Sequence, residues 1–159
     1  MKTNPLAKQT AKHLREVYFG GNWTTSNVRD TLSDVTWEEA TVRFDNFNTI
    51  ASLTNHISYY VPAVLEVLKG NPLVAKDEMS FAHPPIARQE DWNTFLESIW
   101  ENVSEFADKI ETLEDVQFFE DMLEKKYGNY FRNLHGIVEH VHYHLGQIVL
   151  IKKYIRGDK

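Results

Sequence analysis

The 159-residue chain carries a formal net charge of −6, from 17 Lys and Arg against 23 Asp and Glu, and contains no cysteine. That balance argues against nucleic acid as a main partner, which needs clustered cations, and the lack of cysteine excludes disulfides and thiolate metal sites. With 42% hydrophobic and 13% aromatic residues, residues 1–159 are expected to form one globular domain with a full core.

At the N-terminus, Met1-Lys-Thr-Asn-Pro-Leu-Ala-Lys8 has no apolar signal-like stretch, and no run in the chain approaches the ~18 apolar residues of a membrane span. A cytoplasmic protein without a membrane partner is expected. A first helix is predicted over about Pro5–Phe19, with Asn4 as its cap and proline in its first turn, stopping at Gly20-Gly21. Short helical pieces are expected after Ser26 and after Thr36, where Thr36-Trp-Glu-Glu39 reads as a capping box. The second long helix is predicted from about Asn46 to Lys69, closed by Gly70-Asn-Pro72, with Pro62 kinking it or removing one backbone bond.

A loop of about 20 residues, Asn71–Glu90, contains Pro84-Pro85 and leads to Asp91, read as the cap of a third helix reaching about Leu113. Ile99, Val103, Phe106 and Ile110 give that helix a continuous apolar stripe. In Asp115–Gly128 the run Val116-Gln-Phe-Phe119 fits a short strand or extended segment. A fourth long helix is predicted from about Tyr130 to Ile155. Four long helices with few strand signals define an all-α bundle.

The most informative segment is His140-Val-His-Tyr-His144 within the fourth helix. Residues at i and i+4 lie roughly 40° apart on one helical face, one turn above the other, so two imidazoles there can share an ion. On a helical wheel Leu134, Ile137, Val138, Val141, Leu145, Ile148 and Ile155 form the apolar face, with His144 at its edge, His140 beside it, and Asn133 and Gln147 on the same flank. His135 and His142 project elsewhere. On the second helix Thr49, Leu53, His56, Tyr60, Ala63, Val64 and Val67 form the inward stripe, while Asn55, Ser58, Glu66 and Lys69 lie opposite. A lone inward histidine is commonly a satisfied core residue. Three brought together are costly to bury unless hydrogen-bonded or metallated, and three imidazoles leave the open fourth position of a catalytic site.

The words around these histidines carry further information. Thr49-Ile-Ala-Ser-Leu-Thr-Asn-His56-Ile-Ser-Tyr-Tyr60 and Gly136-Ile-Val-Glu-His140-Val-His-Tyr-His144-Leu-Gly-Gln-Ile148 resemble the DinB-like (YfiT-like) superfamily of metal-dependent hydrolases and thiol transferases. The resemblance implies a single DinB-like four-helix-bundle domain with a long crossover connection. It implies a divalent ion, nickel or zinc and in some cases iron, held by His56, His140 and His144 with water. It also implies a homodimer and a small-molecule substrate such as a low-molecular-weight thiol.

The chemistry expected of such a centre is thiol transfer or hydrolysis. Val141 follows His140, so the glutamate base of the His-Glu-x-x-His motif is missing, and Glu139 falls on the outward side. No inward carboxylate stands out on either ligand helix, so the sequence gives no sign of a di-iron carboxylate bundle. Gln147 and Tyr60 are the candidates for a catalytic role beside the metal, against a plain reading as rim and packing residues. The alternative is a non-catalytic metal-binding or stress-related bundle, or a dimerisation module with packed histidines. Trp23, Trp37, Trp92 and Trp100 are expected in the core or at interfaces, Phe118-Phe119 as packing, and the loops Asn71–Glu90 and Gly20–Trp37 as the rim of the site. His13 and His83 carry no assigned role.

Overall fold

The computed structural model describes residues 4–157; the expectations for Met1, Lys2 and Thr3 lie outside them. Among these residues the structure is all-helical, without strands, and a single antiparallel bridge pairs Asp121 with Asn129. No described helix is long and apolar enough to cross a membrane. The helices are α1 (Pro5–Phe19), α2 (Val28–Leu32), α3 (Trp37–Thr41), α4 (Ile50–Ser58), α5 (Tyr60–Leu68), α6 (Gln89–Glu111) and α7 (Tyr130–Arg156). Contacts run from α1 to α6 and α7, from α4 to α7 and from α5 to α6. With α4 and α5 taken as one broken rod, these contacts close a ring of four neighbours around one hydrophobic core.

The ends of α1 match the sequence reading, but the cap does not. Asn4 makes no side-chain cap bond; its amide donates to the carbonyls of Glu111 and Leu113. The orphan N–H groups of Leu6 and Ala7 are taken instead by the Asp115 carboxylate, at 3.2 and 3.1 Å. Asp115 also opens the segment read as a short strand or extended piece, which is neither. Asp115–Phe119 is a 3-10 helix, with Glu114 and Gln117 bonded reciprocally at its start, and only Phe118 of the aromatic pair is buried. Phe119 is exposed.

The predicted capping box at Thr36–Glu39 is present on α3. The second long helix differs in two ways from the expectation. It begins at Ile50 behind a Thr49 cap rather than at Asn46, because Asp45 takes a positive φ of 50° and residues 45–47 turn. It also breaks at Tyr59. Proline at 62 cannot donate to the Ser58 carbonyl four residues back, so the helical ladder is interrupted there and resumes as α5. The expected stripe on α6 is buried at Ile99, Val103, Phe106 and Ile110. That helix starts at Gln89, before Asp91, and the Asp91 carboxylate reaches back to the Ala87 N–H at 3.0 Å. On α7 an Asn129 cap and a left-handed Gly157 mark the two ends.

Trp92 is fully buried and donates its indole N–H to the Val35 carbonyl at 3.0 Å, which ties α6 to the α2–α3 connection. Trp100 is buried and Trp37 packs against the core from its edge. Trp23 is the exception to the expected pattern, standing 97% exposed. Ser58, expected on the outer face, is buried, because the segment around it packs toward α6 and the crossover loop, residues 69–88 between α5 and α6.

Candidate metal centre

Two helices bring the three histidines together. α4 and α7 run side by side in opposite directions, so the side chains of His56 and of the His140–His144 turn meet across their seam. The three ring centroids are 4.6 to 4.7 Å apart in pairs, with interplanar angles from 78° to 88°. One ligand atom from each residue lies within 4.8 Å of the others, and the group could hold a metal ion. All three side chains are half-buried.

Hydrogen bonds on the far sides of two rings set their tautomers. The Ser80 hydroxyl donates its proton to the Asp77 carbonyl at 2.7 Å, so toward His56 Nδ1, at 2.8 Å, it serves as acceptor. His56 therefore carries its proton on Nδ1 and keeps the Nε2 lone pair free. His144 Nδ1 lies 2.6 Å from the Gln147 side-chain oxygen, which likewise places the proton on Nδ1 and frees Nε2. Metal-ligating histidines are oriented by such partners.

His56 Nε2 and His140 Nε2 are 3.0 Å apart. Two nitrogens each about 2.1 Å from a common centre, at an angle near 90°, have about that separation. Without a cation, a proton on His140 must fill the gap. The donor set and its spacing fit a borderline-soft divalent ion.

Burial disfavours the charged form at two of the three rings. Burial pushes the His56 and His140 imidazoles below the usual histidine range; His140 falls to about 4, with His144 and His56 adding to the effect. The Asp77 carboxylate opposes the shift at both rings. Neutral imidazoles are the form that binds metal.

Three residues from outside the ligand helices complete the surroundings, and the sequence reading missed the part they play. Asp77, Ser80 and Phe81 come from the crossover loop, and Asn55 anchors that loop by donating to the Ser80 carbonyl at 2.7 Å. Phe81 stacks on His56 with centroids 3.9 Å apart and planes 11° from parallel. Tyr60 donates its hydroxyl to the Asp77 carboxylate. The expectation that the crossover loop borders the site therefore holds for its 77–81 stretch. A serine buried to 0% exposure in a loop has no sequence signature, since its partner is chosen by the fold.

Cavities flank the triad in both directions along the α4–α7 seam. One, of about 400 Å³, includes Ile57, Tyr60, Asn133, Gly136 and His140 in its walls. The other, of about 350 Å³, is walled by Leu53, Phe47, Gln147, Leu150 and Tyr154. Gln147 thus touches both His144 and the second cavity, while Tyr60 lies in the wall of the first.

The remaining histidines stay apart from the centre, as the helical wheel implied. His135 and His142 face His13 of α1, at centroid distances of 6.0 and 6.4 Å. Burial, followed by the nearness of His13, lowers the His142 pKa. Glu139 is exposed and lies 3.6 Å from His135, away from the triad. His83 lies in the crossover loop with its Nδ1 2.7 Å from the Pro84 carbonyl oxygen.

Comparison with models of protein families, with curated proteins and with solved structures returned no match.

Proposed function

We propose that this chain is a metal-dependent enzyme of the DinB-like (YfiT-like) superfamily, a four-helix bundle that acts on a small molecule at a three-histidine centre. The carrying observation is the convergence of His56, His140 and His144 with two of the three tautomers already set for ligation. A divalent ion on three neutral imidazoles, with nickel or zinc favoured by the donor set, supplies Lewis acidity toward a bound thiolate or water.

Of the two reactions, thiol transfer is the better supported. Water needs no binding cavity, whereas joining a thiol to an electrophile needs room for two reactants, and two cavities flank the triad. In that reaction the thiol loses its proton and the sulfur forms a bond to an electrophilic carbon. That carbon's leaving group departs with its electron pair. Tyr60, hydrogen-bonded to Asp77 in the wall of one cavity, is placed to donate to a bound reactant. Gln147 holds His144 in its ligating tautomer and in this reading is a positioning residue.

The test is elemental analysis of untagged protein beside the His140→Ala variant. About one nickel, zinc or iron per chain, lost in the variant while circular dichroism stays helical, is the expected result. No metal in either protein, even after incubation with divalent ions, would leave a helical module with packed histidines. The non-catalytic metal-binding reading is separated by a turnover screen with thiol-plus-electrophile and ester or amide substrates. Metal at full occupancy with no turnover of any class would favour it.

A further inference from the structure

The cavity of about 400 Å³ that shares His140 with the metal centre is lined by a glycine that its backbone does not require and by an arginine that forms no ion pair among the described residues. Gly136 lies in the interior of the 27-residue α7, one turn before His140 and one turn after Arg132. Its φ is not positive, so the backbone does not demand glycine, and a Cβ there would meet nothing within 4 Å. Glycine in a helix interior is less favourable than alanine, because it loses more backbone freedom on folding. What it provides is open space along the wall between His140 and Arg132.

Arg132 is fixed rather than loose, with its Nη1 donating to the Tyr127 carbonyl at 2.7 Å. Four of the other five arginines have protein partners: Arg15, Arg88 and Arg156 pair with carboxylates, and Arg29 lies over the Phe19 and Trp100 rings, while Arg43 lies outside this cavity. Arg132 forms no ion pair among the described residues. The one acid in the cavity wall, Glu139, is near His135 instead. Asn133, next in the chain, spends its amide protons on the Tyr127 and Asn129 carbonyls, at 3.0 and 2.8 Å, which leaves the guanidinium as the cation of this cavity.

We infer that this cavity is the substrate subsite of the metal centre and that Arg132 selects ligands carrying a carboxylate at the end remote from the metal. The inference rests on the metal-centre reading above. It adds the substrate class, an elongated anionic molecule, and assigns Gly136 as the residue that keeps its path open. Eight residues of helix separate Arg132 from His140, about 12 Å of rise, so the ligand spans on the order of 10 Å between its two ends. A short anion does not reach both.

The test uses the full chain loaded with cobalt(II), whose thiolate charge-transfer band reports sulfur binding without any turnover. The probes are mercaptooctanoic acid, the neutral mercaptooctanol of equal length, and mercaptoacetic acid, whose carboxylate is too close to its sulfur to reach Arg132. The expected result is that mercaptooctanoic acid binds about ten- to a hundredfold more tightly than mercaptooctanol, the range of a charged hydrogen bond. Arg132→Gln removes that preference while cobalt content stays at one per chain. Gly136→Leu weakens both long probes and leaves the mercaptoacetic acid band in place. Equal binding of the long acid and the long alcohol by the wild type, or a preference that survives in Arg132→Gln, would overturn the inference and leave the metal centre standing. A chain that takes up no cobalt would overturn the metal-centre reading, and this inference with it.

Discussion

Ser80 shows how much of this site is decided by one hydroxyl. It gives its proton to a backbone carbonyl and must therefore accept from His56, which commits that ring to the Nε2 lone pair. Gln147 does the same for His144. Loss of such a partner typically weakens metal binding by about 10- to 100-fold. Ser80→Ala and Gln147→Ala are each expected to lower zinc affinity by about tenfold, read by competition against a chromophoric chelator, with helicity unchanged. An affinity equal to wild type in both variants would mean that the tautomers are set by the ion alone. Residue identity does not explain the mixed outcome at the aromatic positions. Phe118 and Phe119 are chemically equal, but a 3-10 turn can direct only one of them into the core.

At the scale of elements, the helix ends and the breaks govern where the ligands fall. α1 is capped from a distance by Asp115, which takes both the Leu6 and Ala7 N–H groups and so joins the start of α1 to the segment after α6. Asp115→Ala is expected to cost about 1–2 kcal/mol in urea unfolding, the usual range for a lost helix cap. A change under a few tenths of a kcal/mol would show that water replaces the carboxylate. The break at Tyr59 matters in another way. It ends α4 just beyond His56 and starts α5 with Tyr60, which turns toward the crossover loop to meet Asp77. That loop then returns Ser80 and Phe81 to His56. Proline at 62 was legible as a kink; the partner that the kink would bring to the histidine was not.

For the whole molecule, the ligands lie on α4 and α7, about 85 residues apart in sequence, so an ion held by all three links two parts of the fold. A ligand that binds only the folded state at a hundred times its Kd adds about 2.7 kcal/mol of stability. Saturating zinc is therefore expected to raise the thermal midpoint of the wild type by several degrees and that of His144→Ala by much less. The metal-free protein has a pH dependence of known sign. His140 titrates near 4 in the fold against 6.5 in the unfolded chain, so as pH falls the unfolded chain takes the proton first. Its contribution is complete above about 6.5 and is lost as pH falls toward about 4. The urea midpoint is expected to decline across that window, and His140→Ala to flatten the decline. Asp34, held down to about 2 by hydrogen bonds from Lys152 and Arg156, loses its contribution only below that range, from 3.8 downward.

Local patterns in the sequence determined a large part of this picture. Apolar spacing identified the buried faces of α6 and α7, the Thr36–Glu39 box was readable from four residues, and helical periodicity alone separated His140 and His144 from His135 and His142. These are short-range properties, set by 3.6 residues per turn and by which side chains can cap a helix. The cap of α1, the serine behind His56, the burial of Ser58 and the arginine cavity beside His140 depended on segments distant in sequence. A polar side chain in a loop takes whichever partner the packed helices bring within about 3 Å, and only the tertiary structure fixes that choice.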